Sequence, residues 1–355
     1  MMRSTIGPRA ERPRIVDKGL ELSDIHTSYP ATARYVMHTT SRLFSRCFFA
    51  ALLSLPTPAG AHEHGEAVSL NELVAGFGWD FENAQVTTEK VTDELYVLFG
   101  LGGNIAVSIG EDGVLLVDDQ FPQLMDKIKA AIKALGGDDV DFVINTHGHF
   151  DHADGNLSLG PDGAMIVSHH NARALMASGD MVDLVVAKYQ PEPYPKEALP
   201  VVTYDSGMQI HFNGSAIQLK HFSHAHTNGD TAVFFPEQNA VHLGDVFNNA
   251  GYPFVDVSSG GTIDGMIAFC EQTLALIDEE TVVIPGHGPL TDAATLARYI
   301  DMLKTVRARV AAMIAEGKSI EEVVAAAPTA DFDVVFGPES ASLGFVNRVY
   351  TSLKK

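Results

Sequence analysis

Apolar and polar positions are grouped in short blocks along most of the chain. Residues 95–99, 104–109 and 113–118 are apolar runs of strand length, and the glycine-bearing stretches 100–103 and 110–113 between them read as turns. Between 122 and 135 the period changes. Leu124, Ile128, Ile132 and Leu135 recur at helical spacing, and Gly136-Gly137 stops the run. A strand at 140–144 follows, then one at 164–168, then a helix that begins at 170–176. In the second half, 208–212 and 216–219 flank Asn213-Gly214 as a hairpin. Two further apolar runs lie next to Asp230 and Asp245. A helix is predicted over 265–277, a strand over 281–284, and helices over 291–316, 318–326 and 339–353. Strands and helices mixed in this way predict an α/β layered domain.

The first 61 residues follow a different pattern. Residues 1–36 are basic and without periodicity, whereas Arg42 and Arg46 precede the apolar run 47–55, which leads to Ala59-Gly60-Ala61. A basic segment, a short apolar run and a small-residue site predict a secretory signal peptide over about 37–61, with Met37 as the expected translation start. The apolar run is too short to span a bilayer, which takes about 20 residues. A mature chain beginning at His62, in the periplasm or outside the cell, is therefore expected. Residues 62–84 are expected to be an N-terminal extension, with His62 and His64 expected at a frayed end.

Removing the leader changes the charge. It holds eight basic and four acidic side chains, so subtracting its +4 from the whole-chain −21 leaves −25. A field of that sign repels nucleic acid and anionic membranes, and the partner expected is a small-molecule substrate. The pattern does not specify an oligomeric state. Cys47 lies in the leader, so Cys270 has no partner for an internal disulfide. The chain has no solenoid repeat, Walker-type loop or dinucleotide-binding glycine loop.

Chemistry concentrates where the strand at 140–144 ends. His147, His149, Asp151 and His152 lie within six residues, and imidazole nitrogen and carboxylate oxygen are donors that Zn²⁺ and similar borderline cations accept. His226 precedes the run at 231–235, Asp245 follows a second run, and His287 follows a third in Pro285-Gly286-His287-Gly288. Each candidate ligand is at or beside a strand end, where loops carry function.

This ordered set, His-x-His-x-Asp-His and then His, Asp and His, resembles the metallo-β-lactamase superfamily over about residues 85–290, with helices at 291–355 packed on or appended to that domain. The resemblance implies a four-layer αββα sandwich with metals at the edge between its sheets. It implies two Zn²⁺ ions, with Fe or Mn as alternatives. His147, His149 and His226 would hold one ion, Asp151, His152 and His287 the other, and Asp245 would bridge them. Metal-bound hydroxide working with Asp151 would be the catalytic unit.

Around these residues, His221 and His224 are expected to support ligands or face solvent, His169 and His170 to be loop or cap residues, and His211 and His242 to be structural. Asp118 stands where the family carries an aspartate that orients ligands, although Asp119-Gln120 replaces the usual Thr-Gly. Trp79, Phe81, Tyr189, Tyr194, Tyr252 and Phe254 would line a cleft or fill the core. The resemblance, which leaves the substrate open, and the leader, which predicts export, together lead to the expectation of an exported dizinc hydrolase of cyclic amides or esters, β-lactams or lactones. The alternatives are a glyoxalase II-like thioesterase, a di-iron redox member and a non-catalytic zinc-binding protein.

Overall fold

The computed structural model describes residues 67–185, 187–337 and 339–355; the leader and the expected mature start at His62 lie outside them. In chain order the elements begin with β1 (Ala67–Val68), α1 (Leu70–Phe77), β2 (Thr87–Lys90), β3 (Leu95–Phe99), β4 (Ile105–Gly110), β5 (Gly113–Val117) and α2 (Met125–Ala134). They continue with β6 (Val140–Asn145), α3 (Phe150–Ala153), α4 (Asn156–Asp162), β7 (Met165–His169), α5 (His170–Ser178), β8 (Val182–Asp183), β9 (Lys188–Tyr189) and β10 (Val202–Tyr204). The remainder is β11 (Gly207–Phe212), β12 (Ser215–Lys220), β13 (Ala232–Phe235), β14 (Ala240–His242), α6 (Ile263–Leu274), β15 (Val282–Ile284), α7 (Ala293–Ala315), α8 (Ile320–Ala325), α9 (Asp333–Phe336) and α10 (Glu339–Lys354).

Two sheets carry the domain. The first has seven strands in the order β10-β7-β6-β5-β4-β3-β2, and the second has five, β11 to β15 in sequence order. β2 to β5 pair antiparallel, while β5, β6, β7 and β10 run parallel. Side-chain alternation sorts each strand between two cores. In β5, Leu115 and Val117 pack between the sheets against residues such as Ile217 and Val233, whereas Val114 and Leu116 face α2, meeting Ile128 and Ile132. In β13, Val233 and Phe235 face the first sheet while Ala232 and Phe234 face α6 and α7. Each fully buried aliphatic chain contributes about 1.5–3 kcal/mol of transfer free energy. The layers are therefore helix, sheet, sheet and helix, as the αββα expectation requires.

Both ends of the described chain pack on this frame. Leu73, with Phe77 and Trp79, joins the outer core of the first sheet, and Lys127 Nζ donates to the carbonyls of Phe81, Glu82 and Ala84. Phe345, Val346 and Val349 of α10 join the core of the second. Among the described residues no helix is long and apolar enough to cross a membrane.

Candidate metal centre

The carboxyl ends of β5 and β6 in one sheet, and of β14 and β15 in the other, face a common edge. β6 ends at Asn145 and releases His147–His152; the β12–β13 loop supplies His226; Asp245 sits in a single 3-10 turn after β14; His287 follows β15. Thr231 N donates to Thr146 O at 2.8 Å, and Asn104 Nδ2 donates to Pro285 O at 2.9 Å and Gly288 O at 2.8 Å, tying these loops together.

All seven sequence candidates meet there. Their donor atoms form three overlapping triads, His147/His149/His226, His147/His152/Asp245 and Asp151/His152/His287, each with its atoms within 4.8 Å of one another. His226 Nε2 is 2.8 Å from His149 Nδ1, and His152 Nε2 is 3.2 Å from His287 Nε2. Asp245 reaches both halves. Its Oδ1 lies 3.1 Å from His152 Nε2 and 3.4 Å from His287 Nε2, and its Oδ2 lies 3.8 Å from His226 Nε2.

The outward nitrogens are held by the chain, which fixes which nitrogen each ring offers. Asp118 Oδ2 is 2.7 Å from His152 Nδ1, Asp256 Oδ2 is 2.9 Å from His149 Nε2, and Phe254 O accepts from His226 Nδ1 at 2.6 Å. His149 therefore presents Nδ1, while His152 and His226 present Nε2. Asp118 is turned into place by a left-handed backbone, φ 64°, which aspartate tolerates better than most residues. It also accepts from Thr146 N at 2.7 Å and Thr146 Oγ1 at 2.8 Å. Gln120, also left-handed at φ 57°, donates to Gly103 O at 2.6 Å. A Cβ on Gly286 would stand 2.1 Å from Asp245 Oδ1, so the bare glycine makes room for that carboxylate.

The donor set fits a pair of cations. His147 Nε2 is buried without a hydrogen-bond partner, and Asp245 Oδ1 has only the Nε2 atoms of His152 and His287 near it. Native proteins rarely leave such atoms unpaired. The charges split the imidazoles: His147 and His226 are held down, whereas His149, through Asp256, His152 and His287 are held up. Burial and the neighbouring imidazoles of His152 and His226 hold His147 well below the ordinary histidine value, and burial with His149 brings His226 down to about 4. Against the cost of burial, Asp245, Asp151 and Asp118 hold His152 well above it, and Asp245 and Asp151 raise His287 to about 9. Against the same cost, His287 and His152 keep Asp245 well below the carboxylate range.

Without metal at pH 7, His147 and His226 are thus neutral and ready to coordinate, whereas His152 and His287 carry protons that an ion must displace. We expect loading of the Asp151/His152/His287 half to release close to two protons near pH 7 and to tighten as pH rises towards 9. Calorimetric titration in buffers of different ionisation enthalpy would read this; proton-neutral loading of that half would contradict it.

A model of the metallo-beta-lactamase superfamily matches residues 99–298. The chain belongs to this superfamily. Among curated relatives, it is 28% identical over 206 residues to a hydroxyacylglutathione hydrolase from a Polaromonas species, covering 56% of this chain and 67% of that protein. It is 24% identical over 198 residues to 2,4-dinitroanisole O-demethylase subunit alpha from a Nocardioides species, covering 54% of this chain and 55% of that one. The chain thus spans about half to two thirds of their lengths. Its fold is similar to that of a metallo-beta-lactamase from Pontibacter korlensis, with a TM-score of 0.51 at 16% identity over 62% of this chain and 99% of the other.

Other superfamily-derived expectations divide. His221 Nδ1 is 2.7 Å from Asp230 O and its ring stacks 4.2 Å from that of His169, while His224 is exposed, so neither joins the donor cluster. His169 caps α5 by accepting from Asn171 N, and His170 pairs with Asp205 at 2.9 Å. His242 is structural, lying between Asn104 O and Gly244 N. His211, expected to be structural, faces solvent on β11 beside Gln209, because it falls on the exposed phase of that strand's alternation. Of the aromatic set, Trp79, Phe81, Tyr189 and Tyr252 pack in aromatic clusters. Tyr194 is buried and donates to Asp154. Phe254 alone of the set lies against candidate-ligand rings, edge-on to His226 at 5.8 Å and tilted to His149 at 6.2 Å. Sequence reasoning missed Asp256 and the Phe254 carbonyl. Neither belongs to a motif, and Asp256 is 107 residues from the histidine it holds.

Proposed function

We propose that this chain is a metal-dependent hydrolase that holds two divalent cations, zinc foremost, and opens the carbonyl of a cyclic ester or amide, a lactone or β-lactam. The observation that carries this reading is Asp245, a carboxylate whose two oxygens reach opposite halves of a complete donor set. Two cations held close together need such an anion between them. When bound, the cations would acidify water and polarise a carbonyl.

The chain does the rest. His147, His149 and His226 hold one ion and Asp151, His152 and His287 the other. Asp118 keeps the His152 proton on Nδ1, so that Nε2 stays a lone pair. Asp151, which keeps 12% of its side chain exposed beside 15% for the bridging Asp245, would orient an attacking water and accept its proton. Cys270 is buried against Val246 O with its thiol pushed up by burial, which supports direct attack by water over a covalent cysteine route.

A thioester is the second reading, supported by the Polaromonas relative and by the His152 and Asp245 ligands. The acidity of the mature chain disfavours an anionic thioester, and the leader supports an extracytoplasmic location where lactones and β-lactams arrive. One assay set decides: elemental analysis with turnover of penicillins, cephalosporins, carbapenems, lactones and thioesters under one set of metal conditions. We expect lactone opening to lead and β-lactam turnover to be modest. Fast thioester cleavage with inert rings would move the chain to the second reading, and bound iron with oxygen consumption would remove it from the hydrolases.

A further inference from the structure

The loop that orients the first metal half has its own support, supplied by the C-terminal helix. The segment Phe254–Asp256 holds two of the three ligands of that half, through the Phe254 carbonyl on His226 Nδ1 and the Asp256 carboxylate on His149 Nε2. Its backbone is pinned to the same strip, because Asp256 N donates to His226 O at 2.8 Å. Three residues, two from the second half of α10 and the one after it, hold this loop and the start of α6 that follows it. Arg348 lays its guanidinium 5.1 Å from the centroid of the Phe254 ring; Ser352 Oγ accepts from Ile263 N at 3.0 Å; Lys355 Nζ donates to Val257 O at 2.6 Å.

Arg348 also reaches Asp256 by a second route. Its Nη2 donates to the carbonyl of Asp183 and to Asp183 Oδ1 at 3.1 Å, Asp183 N donates to Ser258 Oγ at 3.2 Å, and Ser258 Oγ donates to Asp256 Oδ1. Arg348 is 4% exposed and its Nε has no hydrogen-bond partner. Burying a cation with an unpaired donor is costly, and helix packing alone would be served by an aliphatic residue. A guanidinium can lie over a ring while its Nη2 donates to Asp183, two contacts that lysine's single ammonium serves less well.

We propose that Arg348 is a positioning residue for the His147/His149/His226 half, acting through Phe254 and Asp256 to fix the rings of His226 and His149. Its effect is therefore specific to one of the two ions. The inference rests on the two-cation reading above.

The test compares metal affinity in two backgrounds. With His287→Ala the second half is crippled, and zinc affinity measured against a graded chelator reports the first half. With His226→Ala it reports the second. Arg348→Met should weaken zinc about tenfold in the first background, in line with the loss of a ligand-supporting contact, and leave the second unchanged. Arg348→Lys should restore only part of the loss. Phe254→Leu, which removes the ring under Arg348 and keeps the carbonyl, should act in the same direction and decides the matter if Arg348→Met does not fold. Equal weakening in both backgrounds, or none in the first, would overturn the proposal while leaving the centre intact. An otherwise unaltered chain that binds fewer than two ions would overturn the two-cation reading and this inference with it.

Discussion

Replacing Asp245 by alanine should cost the protein one of its two ions and lower turnover by at least about 10³-fold, the scale seen when a main electrostatic group is removed from an active site. Its oxygens lie within 4 Å of nitrogens from both halves. Without it, Asp151 would be the one carboxylate left among the ligands, facing two dications. Asp245→Asn should be nearly as damaging, since the amide keeps the shape beside Gly286 and loses the charge. His224→Ala is the matched control, because that ring is exposed and outside the donor cluster. Elemental analysis alongside turnover reads both effects. An Asp245→Ala protein that keeps two ions and full activity would dismiss the bridge.

Stripping the ions should lower the melting temperature by something on the order of 10–20 °C. Ions at about a thousandfold over their dissociation constants contribute about 4 kcal/mol each, and a domain of this size shifts by roughly 2 °C per kcal/mol. The metal-free protein should also show a pH optimum that the loaded protein lacks. His287 has its folded pKa raised to about 9, so the stability it contributes is present below the unfolded value near 6.5 and is lost as pH rises towards 9. His152 shifts in the same direction. His226, at about 4, works the other way: the unfolded chain binds its proton first, and stability falls as pH drops from 6.5 towards 4. Asp154 and Asp230, raised by burial to about 7, also lose stability as pH rises, so the stripped protein should be most stable at or below about pH 6.5 and weaken towards pH 9. Scanning calorimetry across pH 4–9, with and without zinc, measures both effects; superimposable profiles would show that no ion is bound.

Much of this was legible in the sequence because the signals are local. The runs at 95–99 and 113–118 are short, apolar and bounded by glycine turns, which defines strands, and the four candidate ligands between His147 and His152 share one loop. Asp245 and His287 were legible because each follows a strand that had to end at the same edge. What stayed hidden depends on three-dimensional register. The choice of Nδ1 in His149 follows from Asp256, far along the chain, whose neighbours carry no motif. The residues after Asp118 depart from the family's pattern, yet a left-handed turn at Asp118 and again at Gln120 brings its carboxylate to His152. The packing of α1 and α10 on the frame could not be read, since amphipathic helices show that a face is buried but not against what.

The ligands are also spread through time as the chain is made. His147 to His152 emerge together, but His287 comes more than a hundred residues later and reaches the edge only when β15 has paired with β14. A nascent or partly folded chain can present a few loose donors, never both halves of the centre. Capture of both ions would thus follow docking of the second sheet on the first, and the complete pair would stabilise only molecules that have completed the fold. Metal content measured on a freshly made population would count finished molecules, giving a folding assay that needs no substrate.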